Sequence, residues 1–191
     1  MDAVGRNVRA RAVPGGLADR IRRLGFIKRP SMVRLALFQP DIAPNTAAIL
    51  RLCACLGIEA HIIEPAGFPT SDRAFRRAGM DYLDEVAVVR HRSWDAFETW
   101  RARERLRLVL LSTHAAVSYV EHAFRPEDIL LFGRESAGVP DYVHAAADAR
   151  VVIPMRLGLR SLNVAVAAAM VLGEALRQLG EFPVLSLRPF G

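Results

Sequence analysis

The stretch Leu130–Pro140, LLFGRESAGVP, runs apolar as far as Gly133 and then brings an arginine, a glutamate, a serine, a second glycine and a proline in quick succession. The interior of a strand needs none of that chemistry. Two glycines around a charged pair permit close backbone approach or positive φ. An apolar strand that ends in this way ends at a site where something is bound.

Outward from this stretch, the chain alternates strand-like and helix-like runs. Strands are expected at Val33–Phe38, Ala60–Ile63, Val86–Val89, Leu108–Leu111, Ile129–Phe132 and Arg150–Ile153. Between them, a helix is expected from Thr46 to Leu56, with Asn45 as N-cap and Gly57 as the stop. Arg73–Ala78 reads as a short helix, Trp94–Arg105 as an exposed charged one, and Ser161–Leu179 as a long closing helix capped by Ser161. Such alternation predicts an α/β fold, a mostly parallel sheet with helices on both faces. Ligands of these sheets bind beyond the carboxyl ends of the strands, which is where LLFGRESAGVP lies.

At 191 residues the chain is one domain with, at most, an appendage. It is 52% hydrophobic, yet no run reaches the roughly 18 apolar residues that a membrane span requires. The first thirty residues lack the apolar core of a secretory signal, so a cytoplasmic protein is expected. Residues 1–31 hold eight Arg/Lys and two Asp and carry the whole formal charge of +6. They are expected to form a basic, partly disordered arm before a domain at 32–191. The arm is either a contact for nucleic-acid phosphates or an extension without a role, translated upstream of Met32. Cys53 and Cys55, two apart on a helix, make neither a metal pair nor a disulfide and are expected to be buried thiols. No His/Cys/Asp cluster has ligand spacing, so no metal is expected.

Three segments carry candidate chemistry. In PNTAAILRLCACLG, Arg51 is the sole charge of an apolar helix, and burial would force it to pair. A structural ion pair with a residue such as Glu135 and a hold on a phosphodiester or reacting hydroxyl are both open. In LLFGRESAGVP, Glu135 supplies a carboxylate, while the GxxxxGK[ST] and GxGxxG nucleotide fingerprints are absent from the chain. In VVIPMRLGLRSLNVAVAAA, Ser161 and Asn163 stand at a helix start, where free N–H groups favour polar or anionic ligands. Ser161 reads equally well as a plain cap. From Val164 to Gly173 that helix shows no polar side chain, so it is expected to be buried on all sides, one of them against a second subunit.

Together, Asn45-Thr46 with Arg51, Leu131–Pro140, and Ile153-Pro154-Met155 with Ser161-Leu162-Asn163 resemble the three motifs of the SPOUT-class RNA 2′-O-methyltransferases. RLCACLGIEAHIIEPAGFP and RRAGMDYLD resemble the small branch that acts on the wobble nucleotide of tRNA. The resemblance covers about Met32 to Gly180. It implies a C-terminal trefoil knot, an exception to unknotted topology, and a homodimer joined through the C-terminal helix, with two subunits sharing each site. It implies S-adenosylmethionine as cofactor, S-adenosylhomocysteine as product and the anticodon stem-loop of tRNA as partner, leucine tRNAs being the expected substrates. By position, Leu111, Gly133, Ile153, Ser161 and Leu162 would hold the cofactor, with Gly133 and Gly138 letting backbone approach it. Arg51, Asn45, Glu135 and Asn163 match the catalytic and RNA-positioning residues. A ribosomal RNA 2′-O-methyltransferase and a noncatalytic RNA-binding module are the alternatives. The chain departs from the pattern at Ala47, Ala165 and Gly173, and in STHAAVSY, which is shorter than usual and lacks a lysine.

Overall fold

The computed structural model describes residues 33–68 and 86–183. The basic arm, the expected helix at Arg73–Ala78 and the RRAGMDYLD segment lie outside the described residues.

Seven strands form one sheet: β1 (Arg34–Phe38), β2 (Ala60–Ile63), β3 (Val88–His91), β4 (Arg107–Leu111), β5 (Val117–Ser118), β6 (Asp128–Phe132) and β7 (Ala149–Val152). Their order is β3-β2-β1-β6-β4-β7-β5, and every pairing is parallel. The central strands are apolar runs because both faces are covered. In β6, DILLF, all five residues are buried.

Side-chain alternation sorts the core into two layers. Leu35, Leu37, Val109, Leu130 and Phe132 face α1 (Ala43–Leu56) and α4 (Val164–Leu179), which pack on each other. Ala36, Phe38, Leu108, Leu110, Ile129 and Leu131 face α2 (Trp94–Glu104) and α3 (Asp141–Ala146) through Phe97 and Val143. The expected α/β architecture with helices on both faces is observed.

Several boundaries move, for local reasons. The first helix begins at Ala43, with Pro44 in its first turn, where a missing N–H costs nothing. Asn45 is therefore inside the helix and does not cap it; Ile42 holds the cap position without a side-chain bond. Gly57 stops the helix as expected, in the left-handed region at φ 72°. Arg105 plays the same part after α2 and lies outside that helix. The closing helix begins at Val164, and its cap is Asn163, not Ser161: the Asn163 Oδ1 accepts from the Ala165 and Val166 N–H groups at 2.8 and 3.4 Å. β3 starts at Val88 and runs on to His91, which pairs with Ile63. β5 is only two residues long, and α3, six residues behind Pro140, was equally invisible to periodicity.

The expectation of two buried thiols fails at Cys55. Within this chain the α4 helix is buried on one face, through Ala167, Ala168, Val171, Leu172, Ala175 and Leu176, while Val166, on the side expected to meet a second subunit, is 50% exposed. Cys53 is buried, which pushes its thiol up to about 12, but Cys55 is exposed. Among the described residues, no helix is long and apolar enough to cross a membrane.

Candidate active site

The carboxyl ends of β1, β6, β4 and β7 open onto a cavity of about 750 Å³. All five expected cofactor residues line it: Leu111 after β4, Gly133 after β6, Ile153 after β7, and Ser161 and Leu162 before α4. Asn45, Glu135 and Asn163 line it too. Arg51 does not. It lies on the exposed side of α1, so the burial that was expected to force it into a pair is absent.

A chain of hydrogen bonds joins the three motifs. The Asn163 side-chain amide donates to the Asn45 Oδ1 at 2.9 Å, and the Asn45 amide donates to the Glu135 Oε1 at 3.2 Å. Because Asn45 is released from capping, both ends of its amide are free for this relay. The Asp41 N–H approaches the other Glu135 oxygen at 3.4 Å. In return, the N–H groups of Glu135 and Ser136 and the Ser136 hydroxyl donate to the Asp41 carboxylate.

Asp41 and Ser136 are site residues that sequence reasoning passed over. Asp41 sits in QPDIAPNT, a segment that reads as an ordinary turn. The signal was local: an Asp three residues after a strand and two before a helix can bond N–H groups of a neighbouring loop. The two carboxyls are held apart in their titration. Asp41 is lowered to about 2, first by its side-chain hydrogen bonding with Glu135 and then by Ser136 and the loop N–H groups. Glu135 is raised, first by burial and then by the Asp41 side chain. One carboxylate is fixed as an anion, and its neighbour is biased toward holding a proton.

The two glycines show the close backbone approach and the positive φ expected of them. At Gly133 an added Cβ would lie 2.7 Å from the Gly138 carbonyl carbon and 2.9 Å from both the Gly138 oxygen and the Val139 Cγ1. Its small size serves the loop's own closure, in which the Arg134 and Gly138 N–H groups each donate to the other's carbonyl at 3.0 and 2.9 Å. Gly138 takes φ 64° with open space where a Cβ would be. The tight loop folded this way presents residues 133–139 to the cavity.

The residues fit S-adenosylmethionine. The volume is that of a cofactor pocket; Leu111, Phe132, Ile153 and Ala167 supply apolar wall, Glu135 supplies hydrogen-bonding oxygens, and Asp141 supplies a carboxylate for a cationic ligand.

The sequence pattern of the SpoU rRNA Methylase family matches residues 32–173. A tRNA (cytidine(34)-2′-O)-methyltransferase of Beijerinckia indica subsp. indica is 70% identical over 146 residues, which cover 76% of this chain and 91% of that protein. A solved structure described as giving structural insights into the 2-OH methylation of C/U34 on tRNA superposes with TM-score 0.75 at 40% identity, covering 79% of this chain and 98% of the other. The SpoU methyltransferase AviRb from Streptomyces viridochromogenes, in complex with AdoMet, gives TM-score 0.71 at 26% identity, covering 80% of this chain and 64% of that one.

Proposed function

The chain belongs to the SpoU rRNA methylase family, and on that premise we propose that it transfers a methyl group from S-adenosylmethionine to the ribose 2′-OH of the wobble nucleotide of tRNA. Cytidine or uridine is the base, leucine tRNAs are the expected substrates and the cytoplasm is the setting. The observation that carries this reading is the relay Asn163–Asn45–Glu135, which draws all three motifs to one wall of a cofactor-sized cavity. The choice of tRNA position 34 rests on the relatives.

Leu111, Gly133, Ile153, Ser161 and Leu162 would hold the cofactor. Once bound, it would supply an electrophilic sulfonium methyl to the 2′-oxygen, its C–S bond breaking as the C–O bond forms to leave S-adenosylhomocysteine, with the hydroxyl proton passing to a neighbouring group or water. The protein's task is to align the oxygen with the methyl at about 3 Å. Asn45 and Asn163 offer amides for the ribose, and Glu135 fixes the Asn45 amide. Arg51, a planar cation whose forked donors match a phosphate, orients the substrate phosphodiester and stabilises the forming alkoxide better than it would serve as a resting base.

A homodimer completes the site in this reading. Arg51 lies outside this chain's cavity, and α1 packs beside α4, whose exposed Val166 and Ala169 form an apolar strip. A second copy docked on that strip buries it, and Arg51 of the partner subunit then serves the cavity. The sheet order, with β6 between β1 and β4 and β7 beyond β4, supports a trefoil-knotted C-terminal part. The arginine-rich residues 1–31 add contacts to tRNA phosphates; deleting them weakens binding and flattens its salt dependence, and unchanged binding refutes that role.

The test is transfer of labelled methyl from S-adenosylmethionine to total tRNA of a strain lacking this gene, with the product nucleotide mapped and Arg51→Ala run in parallel. A 2′-O-methyl at the wobble nucleotide, lost in Arg51→Ala, is the expected result. Methylation elsewhere in tRNA, or only of ribosomal RNA, overturns the substrate assignment. Cofactor binding without transfer to any RNA overturns the enzymatic reading.

A further inference from the structure

A line of four side chains leads from the cavity to the surface on the α2–α3 side of the sheet. Arg134 lines the cavity, and its guanidinium carbon lies 5.9 Å from the centroid of the Phe38 ring. Phe38 meets Trp94 edge-on at 5.8 Å, and Trp94 lies 6.1 Å from Tyr142 on α3. Phe38 is 1% exposed, Trp94 is half-buried and Tyr142 is 54% exposed. The line thus rises from the core to water beside the cavity mouth, where the adjacent Asp141 is a lining residue.

Each member alone is unremarkable, since single exposed aromatics are normal on protein surfaces. Their continuity is what needs a cause. Phe38 and Trp94 are held by the core, with Phe97 at 5.4 Å from Trp94, but nothing in the packing requires Tyr142 to extend that line of rings outward, tilted 59° to Trp94. Arg134 is equally uncommitted. Among the described residues its guanidinium makes no hydrogen bond or ion pair, only the contact with the Phe38 face. Arg134 offers its donors at the cavity wall, and Tyr142, next in the chain to the lining residue Asp141, offers an exposed ring. A planar cation and an exposed ring serving one cavity are the chemistry that receives an unstacked base and its phosphate. The apolar strip of α4 lies on the opposite face of the sheet, so a second copy docked there leaves this surface open.

This rests on the reading of the substrate as RNA. We propose that Tyr142, backed by Trp94, is the platform on which a nucleobase next to the methylated nucleotide stacks, with Arg134 meeting the phosphate between the two. The target ribose can then enter the cavity while its neighbour is held outside, as a splayed single-stranded loop requires.

The experiment uses the full-length protein with an anticodon stem-loop RNA, intact or made abasic at the nucleotide on either side of the target. Tyr142→Ala is expected to raise the RNA KM about tenfold or more, the range of one lost base stack, with kcat and the Kd for S-adenosylmethionine unchanged. Tyr142→Phe is expected to restore it. One of the two abasic RNAs should cost the unaltered protein the same factor and cost Tyr142→Ala nothing further. Arg134→Gln is expected to lower the slope of log K against log salt by about one.

A KM within twofold of the original in Tyr142→Ala overturns the proposal, as do multiplicative losses from the variant and the abasic sites. A raised cofactor Kd with unchanged RNA KM does so as well and assigns the surface to the cofactor. The parent reading is scored separately, by transfer to intact RNA from the unaltered protein. If that protein binds no RNA in direct titration, both fall together.

Discussion

Asn163 and Asn45, 118 positions apart, share a 2.9 Å hydrogen bond in which the Asn163 amide is the donor, while the Asn163 oxygen caps the closing helix. One side chain therefore does two jobs with its two ends. Substitutions can separate them. Asn163→Asp keeps a cap oxygen but has no N–H for Asn45, so unfolding midpoints should stay within about 0.5 kcal/mol of the original while kcat/KM falls on the order of tenfold or more. Asn163→Ala should lose the activity and about 1 kcal/mol of stability besides. Thermal unfolding and methyl-transfer kinetics read the two effects separately. An active Asn163→Asp protein would remove the relay from the mechanism.

The two glycines of the site loop should respond unequally. Gly133→Ala drives a methyl into the Gly138 carbonyl at 2.7 Å, so the loop must open or the strand end must shift. A loss of about 2 kcal/mol or more is expected, with cofactor binding lost as the loop moves. Gly138→Ala meets nothing and bears only the left-handed backbone, about 1 kcal/mol. Urea denaturation with cofactor titration checks the order, and an equal effect would contradict the close approach at Gly133.

Stability should fall in mild acid because of a buried histidine pair. The His61 Nε2 lies 3.0 Å from Glu59 and its Nδ1 lies 3.0 Å from the His91 Nε2. With Nε2–H donating to the carboxylate, Nδ1 must accept from His91, so the His61 ring is neutral, and a second proton on it would set N–H against N–H. Burial is the largest cause lowering His61 from 6.5 to about 4, and it lowers His91 as well. The unfolded chain binds protons below pH 6.5 that the folded chain refuses. The stabilisation is full above 6.5 and is lost as pH falls toward 4, on the order of 3 kcal/mol for His61. His61→Leu should flatten urea midpoints measured from pH 7 to 4.5; an equally steep profile would assign the acid sensitivity to other groups.

Val166→Arg tests the proposed subunit contact. Val166 is half exposed on the apolar strip of α4; a charge there should yield a monomer by sedimentation and abolish transfer without lowering the unfolding midpoint. A persistent dimer would place the contact elsewhere.

Sharing of the site has its own readout. If the proposed dimer forms, Arg51→Ala and Asn163→Asp proteins, each impaired alone, should gain activity when mixed and reassociated, because one of the two sites in the mixed dimer then has both residues. No recovery would mean that Arg51 serves its own chain.

Much of the framework was legible in the residues. β1, β2, β4, β6 and β7 fall within one residue of the expected strand ends, since a parallel strand covered on both faces must be apolar throughout. Gly57 marked its helix end because no other residue enters the left-handed region so cheaply. What failed was short or context-dependent. The two residues of β5 and the six of α3 carry no period to detect. Asn45 and Ser161 had the right chemistry for caps, but the helix starts were set elsewhere, by Pro44 and Asn163.

The sequence by itself determined the alternation of strands and helices and pointed to the carboxyl ends of the strands, because apolar period is a local property; Asn45, Glu135 and Asn163 were singled out together by their resemblance to three family motifs. Only the tertiary structure decided who meets whom. Parallel pairing of β1, β6, β4 and β7 brings residues 41, 45, 135 and 163 to one edge of the sheet. There Asp41 becomes the anion that anchors the loop, Gly133 yields its space to Gly138, and Arg51 is left outside the cavity on the exposed side of its helix. Those outcomes depend on distances between segments far apart in the chain, which no local pattern encodes.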